Sequence, residues 1–219
     1  MALPGSGAIS ISQVSTELTR ALNAGTSLGE SAVSNLAGVP SGQISLSNLH
    51  GKSRVTAGSQ AFYSSGSFLV PAFNTLTVTV YGAGGGGSTG KSYLYDPLSD
   101  LCNATGGGQA GWSGGASSFN GNVIGNGGGG ANFYGAGAHG TASGGDTNTT
   151  GGGAAGGPGI DGTSNCWESP GFGRAGGYGG RAIKTYYPGW LTEGGYVSVA
   201  AGASGSPNGG GGYVVISWN

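Results

Sequence analysis

Between Gly82 and Gly180 the chain places 36 glycines in 99 residues, and strand-like segments frame that stretch on both sides. Glycine loses more conformational freedom on folding than any other residue, roughly 0.5–1 kcal/mol each relative to alanine. A fold that uses it on this scale needs positions where no side chain fits, or else the stretch is not ordered. The distribution argues for order. Glycine tracts at 84–87, 106–108, 127–130, 151–153 and 176–180 are interrupted by aromatic and polar islands at 91–103, 132–134, 139–150, 160–170 and 183–193. Flexible linkers are monotonous in Gly and Ser and carry no such islands. The expected structure is a set of close-packed, extended glycine strands with the islands projecting as loops. Such chains have three residues per turn. Without side chains they can approach closely and bond through backbone N–H···O and Cα–H···O contacts.

Composition narrows the function classes. Glycine makes up 54 of 219 residues, charged residues are only 7%, and the formal net charge is -1. No basic stripe is available to neutralise phosphates, so nucleic acid is not an expected partner. No apolar run reaches the ~18 residues of a transmembrane helix, so no membrane insertion is expected. Gly-X-Y never holds its period and there are 8 prolines, which excludes collagen. Aromatics at 9% with so little charge do not fit the usual disordered class.

The start of the chain has no basic residue before Arg20 and no apolar stretch of signal-peptide length. A chain made and kept in a cytoplasm, or released by lysis, is expected, and the sequons at Asn103 and Asn148 mean little without secretion. Cys102 and Cys166 lack Cys-x-x-Cys spacing, and neither has a histidine within three residues, so no metal site is expected. Two free thiols are the expectation in that compartment; a disulfide formed after release is the alternative.

Residues 1–54 differ from the rest. Ser12 is expected to cap a helix that carries Val14, Leu18, Ala21 and Leu22 on one face. A second short helix fits Ser31 to Ala37, with Val33 and Leu36 inward and Gly38 as its stop. An internal repeat brackets them: Ser6-Gly7-Ala8-Ile9-Ser10-Ile11-Ser12-Gln13-Val14 matches Ser41-Gly42-Gln43-Ile44-Ser45-Leu46-Ser47-Asn48-Leu49. A small pseudo-symmetric module with little core of its own is expected, leaning on a partner or on copies of itself. Its docking residues would be Ile9, Ile11, Val14, Leu18, Leu22, Ile44, Leu46 and Leu49.

From about Ser59 the pattern becomes β, so residues 55–219 form the second domain. Strands are expected at 60–64, 67–70, 74–81, 196–200 and 212–218, with apolar residues alternating at 76, 78 and 80. The fold class is therefore mainly β: a small helical N-terminal module plus a β and glycine-rich sandwich domain with projecting loops.

Several catalytic signatures occur, and each lacks its context. Gly85-Gly86-Gly87-Ser88-Thr89-Gly90-Lys91-Ser92 fits the P-loop pattern. A helix must follow, yet Pro97 interrupts the chain within a few residues, and no apolar strand ending in Asp supplies a second magnesium ligand. Gly82–Gly87 matches the dinucleotide pattern and fails likewise. Gly25–Gly29 and Gly111–Gly115 match G-x-S-x-G, but no carboxylate lies between Ser113 and His139. Asp96, Asp100, Asp146, Asp161, Glu168 and Glu193 read as solvated loop carboxylates more readily than as a glycosidase pair. No enzyme activity and no cofactor are expected.

The islands are the better candidates. Tyr, Trp, Asn, Ser and Gly are the residues recognition loops use, rigid rings beside adaptable hydrogen bonders. The competing reading is that these rings pack over scaffold edges. Candidate contacts are Tyr93, Tyr95, Asp96, Asn103, His139, Asn148, Trp167, Glu168, Tyr186, Tyr187 and Trp190.

These segments bear a resemblance to known proteins. Residues 41–53 resemble a segment near the N-termini of tailed-phage tail and fibre proteins. Residues 68–87, with the closing 209–218, resemble the glycine-rich domain of phage tail proteins. The alternation of glycine tracts and islands is similar to the tail-fibre-tip adhesins of T-even-like phages, from which the chain departs in its helical repeat. The resemblance implies a polyglycine-II sandwich whose loops contact a host-surface protein or polysaccharide. It also implies location in the virion tail or fibre, other tail or fibre proteins as partners, and a homotrimer. A structural or decoration protein of the tail is the alternative.

Overall fold

A computed structural model describes residues 2–21, 24–39 and 42–219. The chain is mainly β, with a small helical module. It forms two compact units: residues 1–58 with 71–74 and 218–219, and residues 59–70 with 75–217. The division falls four residues later than the composition shift, and the first unit also takes in two short returning pieces.

In the first unit, α1 spans Ile11–Glu17 and α2 spans Ser31–Ala37. The α1 cap is Ser10, not Ser12: its hydroxyl accepts from the Gln13 amide, and the Gln13 side chain accepts from the Ser10 amide, a reciprocal capping box. The helix also ends earlier than its apolar spacing suggests. Leu18 is the C-cap, Thr19 takes a left-handed φ of 56°, and Ala21 lies outside the helix. Ser15 and Thr16 turn their hydroxyls back onto the Ile11 and Ser12 carbonyls, a habit that weakens helix continuation. The second helix has its expected bounds, and Gly38 closes it at φ 74°, a left-handed conformation that glycine adopts without cost.

The repeat is a structural repeat as well. At Ser45 the Asn48 side chain accepts from the Ser45 amide at 2.8 Å, as Gln13 does at Ser10, and a 3-10 turn over Leu46–Leu49 follows. The two copies deliver Val14 and Leu49, both fully buried, to one core with Leu3, Ile9, Val33 and Ala37. The module thus has a small core of its own, six buried residues among those described. Of its docking candidates, Ile9, Val14 and Leu49 are buried, and Leu18, Ile44 and Leu46 pack against them. Ile11 is exposed. Leu22 lies outside the described residues.

The second unit begins with strands β1 (Gly58–Phe62), β2 (Gly66–Leu69) and β3 (Leu76–Tyr81). Then come β4 (Ser92–Asp96), β5 (Leu101–Gly106), β6 (Ser117–Phe119) and β7 (Val123–Gly125). The series ends with β8 (Ala142–Ser143), β9 (Thr147–Thr149), β10 (Arg181–Tyr186), β11 (Tyr196–Ala200) and β12 (Tyr213–Trp218). One sheet has the order β1-β12-β3-β10-β9, the other β2-β11-β6-β7-β8, and β4-β5 form a separate hairpin. β3 and β10 face β6 and β7 across the sandwich. The period-2 alternation of β3 puts Leu76, Val78 and Val80 inward, where they are buried in the core together with Phe68, Phe119, Val214 and Ile216. Burying side chains of this size stabilises by about 1.5–3 kcal/mol each.

β3 runs on into residues 82–90, the axis of the glycine region. The amides along this axis point in three directions in rotation. Gly82, Gly85 and Ser88 donate to the carbonyls of Gly180, Gly177 and Arg174. Ala83, Gly86 and Thr89 donate to Gly115, Trp112 and Gln109, and Gly84 and Gly87 donate to Gly210 and Pro207. All three partner segments therefore run antiparallel to the axis. The carbonyls of Gly82, Gly85 and Ser88 accept from Ala154, Gly157 and Ile160, and those of Ala83 and Gly86 accept from Gly128 and Ala131. These two segments run parallel to it, and Gly205 supplies a sixth neighbour by donating to the Gly84 carbonyl. A period of three with six surrounding chains is polyglycine-II packing. Close approach is what demands glycine. A methyl group on Gly84, Gly85, Gly86 or Gly87 would collide with the carbonyl of Ala155, Gly129, Ser206 or Pro158 respectively.

The same packing engages the residues of the P-loop pattern in the lattice. The amides of Gly85, Gly86 and Gly87 are bonded to protein carbonyls, and a strand, β4, follows Lys91 where a P-loop has a helix.

Candidate recognition surface

At the 90 end of the lattice axis two islands converge. Lys91 leads into the β4–β5 hairpin, in which Tyr95 stands opposite Cys102 and Leu94 opposite Asn103. The turn between the strands is built by Asp96, whose carboxylate accepts from the Leu98 amide at 3.0 Å and from the Ser99 hydroxyl at 2.6 Å. Those bonds, the Ser99 hydroxyl first, hold the Asp96 carboxyl below the usual carboxylate range. The Tyr95 hydroxyl donates to Asp100 at 2.7 Å, and that carboxylate pushes the phenol's pKa up.

The free edge of β4 receives residues 163–165 from the second island. The Tyr93 amide donates to the Thr163 carbonyl at 2.8 Å, the Thr163 amide to Ser92 Oγ at 3.1 Å, and the Tyr95 amide to Asn165 Oδ1 at 2.8 Å. A disulfide joins Cys102 to Cys166 across a sequence separation of 64, with the Cα atoms 6.0 Å apart. The free-thiol expectation is thereby corrected: the two islands fold onto each other and bring the sulfurs together. Trp167, next to the bridge, meets the Tyr95 ring edge to face at 5.8 Å and is 64% exposed.

Six of the eleven candidate contacts lie in this cluster or next to it in the chain: Tyr93, Tyr95, Asp96, Asn103, Trp167 and Glu168. The others lie elsewhere. His139 is on the lattice flank, where its Nδ1 accepts from the Tyr178 amide at 3.0 Å and the two rings sit 5.6 Å apart. Asn148 closes the β8–β9 turn by bonding both backbone groups of Gly145. Tyr186, Tyr187 and Trp190 sit at the end of β10 that pairs with the start of β3, on the order of 40 Å of extended chain from Gly90. There Tyr186 is a core residue, 8% exposed and packed on Phe119 at 5.7 Å, while Tyr187 and Trp190 are exposed. Lys184 bonds Asp146 at 2.7 Å and lies over the Trp190 ring at 5.4 Å.

The emphasis on aromatic residues overlooked the hairpin's aliphatic tip. Leu94, Leu98 and Leu101 are exposed, Leu98 at 98%. It also overlooked the rows that stand out from the glycine segments. Phe172, Ala175 and Tyr178 are exposed at every third position, with Gly176, Gly177, Gly179 and Gly180 buried between and after them. The available signal was a residue bearing a side chain, a large ring at two of the three positions, recurring at intervals of three among glycines, the period of the lattice itself.

Among the described residues no group of three or more His, Cys, Asp or Glu is placed to hold a metal, and no helix is long and apolar enough to cross a membrane. No family model, no curated protein and no solved structure matches the chain.

Proposed function

We propose that this chain is a non-enzymatic recognition protein of a phage tail fibre or tail tip, binding a host-surface receptor through the loops at the end of its glycine lattice. One observation carries the reading. Two islands far apart in sequence are bonded into a single exposed cluster of Tyr95, Trp167, Leu94, Leu98 and Leu101, at the end of the lattice axis remote from the two sheets. Rigid aromatic anchors on a fixed support lose little entropy on binding, which is what makes them energetically dominant in recognition surfaces. The test is adsorption. Purified chain should compete with particles for host cells, and particles lacking the chain should adsorb poorly; unchanged adsorption in both assays overturns the proposal.

A second reading, a structural protein of the tail with no receptor contact, draws on the exposed Tyr187 and Trp190 at the opposite end of the sandwich. Alanine at Trp167 separates the two. Lost adsorption with normal particle assembly supports recognition, and lost assembly supports the structural role.

A further inference from the structure

We propose that the recognition surface is redox-gated: the Cys102–Cys166 disulfide is the catch that presents Trp167 and Tyr95 for binding, and the reduced chain is a folded but weakly binding form. The proposal rests on the recognition reading above.

The argument starts from what holds residues 163–167 in place. Besides the bridge, three hydrogen bonds run to β4, from the Tyr93, Thr163 and Tyr95 amides, and one edge-on ring contact joins Tyr95 to Trp167. Those groups are exposed or half-buried, so water competes for each bond. Behind them the loop is anchored at its base, where Gly162 and Gly171 bond each other and Gly171 bonds Lys91. Reduction therefore frees the stretch between those anchors while leaving the lattice bonded.

The sandwich core does not depend on the bridge. The buried residues Leu76, Val78, Phe119 and Ile216 come from β3, β6 and β12, whereas Cys102 lies on β5 of the separate hairpin and Cys166 lies outside the strands. Two states of one fold follow: closed with the bridge, open at the loop without it. Both sulfur-bearing residues are half-buried, so a small thiol or disulfide can reach them.

Closure is thiol–disulfide exchange. One cysteine, as thiolate, attacks a low-molecular-weight disulfide and expels one thiol, forming a mixed disulfide. The second cysteine's thiolate then attacks the protein sulfur of that adduct and expels the other thiol. The chain loses two protons and two electrons, and the small disulfide leaves as two thiols. A reducing compartment holds the catch open and an oxidising exterior closes it. A particle protein on this plan would keep its binding surface slack until released.

The test uses the full chain in three forms: oxidised with glutathione disulfide, reduced with dithiothreitol, and the double variant Cys102→Ser/Cys166→Ser. Chymotrypsin cleavage after Trp167 reads the loop, and binding to cells that adsorb the particle reads the surface. The expected result is at least tenfold faster cleavage after Trp167 and at least tenfold weaker cell binding in the reduced and double-serine forms, with Phe119 and Tyr186 still protected from cleavage. Equal cleavage and equal binding in all three forms overturn the gate. If the oxidised chain itself fails to bind cells, the recognition reading falls, and the cleavage ratio still decides the catch: tenfold supports it and a ratio near one overturns it.

Discussion

The Gly85 amide donates to the Gly177 carbonyl at 2.9 Å, joining two chains whose backbones are too close for any side chain between them. A methyl group on Gly85 would strike the Gly129 carbonyl from a third chain. Backbone cannot rotate away as a flexible side chain can. Gly85→Ala should therefore destabilise by at least about 3 kcal/mol, the upper range of ordinary overpacking. That corresponds to a fall in Tm of roughly 6–12 °C for a chain of this size. Gly211→Ala is the matched control, since nothing lies within 4 Å of its added methyl. Similar melting temperatures for the two variants would show that the axis is not close-packed.

The repeated caps make a second prediction. Gln13 and Asn48 accept from the Ser10 and Ser45 amides, both at 2.8 Å. Alanine at either position removes that acceptor, and exposed amides regain only water, so each change should cost about 0.5–1 kcal/mol. The two caps feed one core through Val14 and Leu49, so both variants should accelerate amide exchange across the whole first unit, Val33 included. Exchange confined to the altered turn would mean that the two repeats do not share a cooperative core.

Much of the sandwich was legible because its signals are local. The alternation at 76, 78 and 80 names the inward face of β3, and β11 has its expected bounds. β10 was not legible: Arg181, Lys184 and Thr185 give Arg181–Tyr186 a polar reading, and only its place between β3 and β9 makes it a central strand. The glycine tracts announce close packing but are interchangeable as sequence, so the six neighbours of residues 82–90 are set by tertiary fit. The recognition cluster was half legible for the same reason. Its aromatic residues stand out, but nothing in a separation of 64 tells that Cys102 and Cys166 meet, or that Tyr186 turns into the core.

Asp146 gives the fold a measurable acid sensitivity. The hydrogen bond from Lys184, first, and that from the Thr185 amide hold its carboxyl below the ordinary value. A carboxyl whose pKa is depressed in the folded state contributes stability above its unfolded pKa, about 3.9, and loses it as pH falls through the folded value. The melting temperature of the native chain should thus exceed that of Asp146→Asn at pH 6. The gap should narrow as pH falls below about 4. Side-chain exposure of 49% keeps the effect small, so the pH dependence of the gap is the readout rather than its size. A gap that stays constant from pH 6 to pH 2 would show that the ion pair makes no contribution.

Tyr186 and Trp167 were grouped by composition, and the structure gives them opposite surroundings. Tyr186 is 8% exposed against Phe119, whereas Trp167 is 64% exposed beside Tyr95. Tyr186→Ala removes a core ring and leaves a cavity, so it should cost about 3–5 kcal/mol and lower Tm. Whatever it does to adsorption should follow the loss of folded protein. Trp167→Ala should move Tm by no more than a degree or two, since an exposed ring buries little area on folding. It should nevertheless lower cell binding by about 2 kcal/mol or more, a thirtyfold loss, as a recognition anchor does. Melting curves and cell-binding isotherms on the same two preparations decide the matter. If Trp167→Ala binds as the native chain does, the cluster around Tyr95 is not the contact surface, and the exposed pair Tyr187 and Trp190 becomes the next site to truncate.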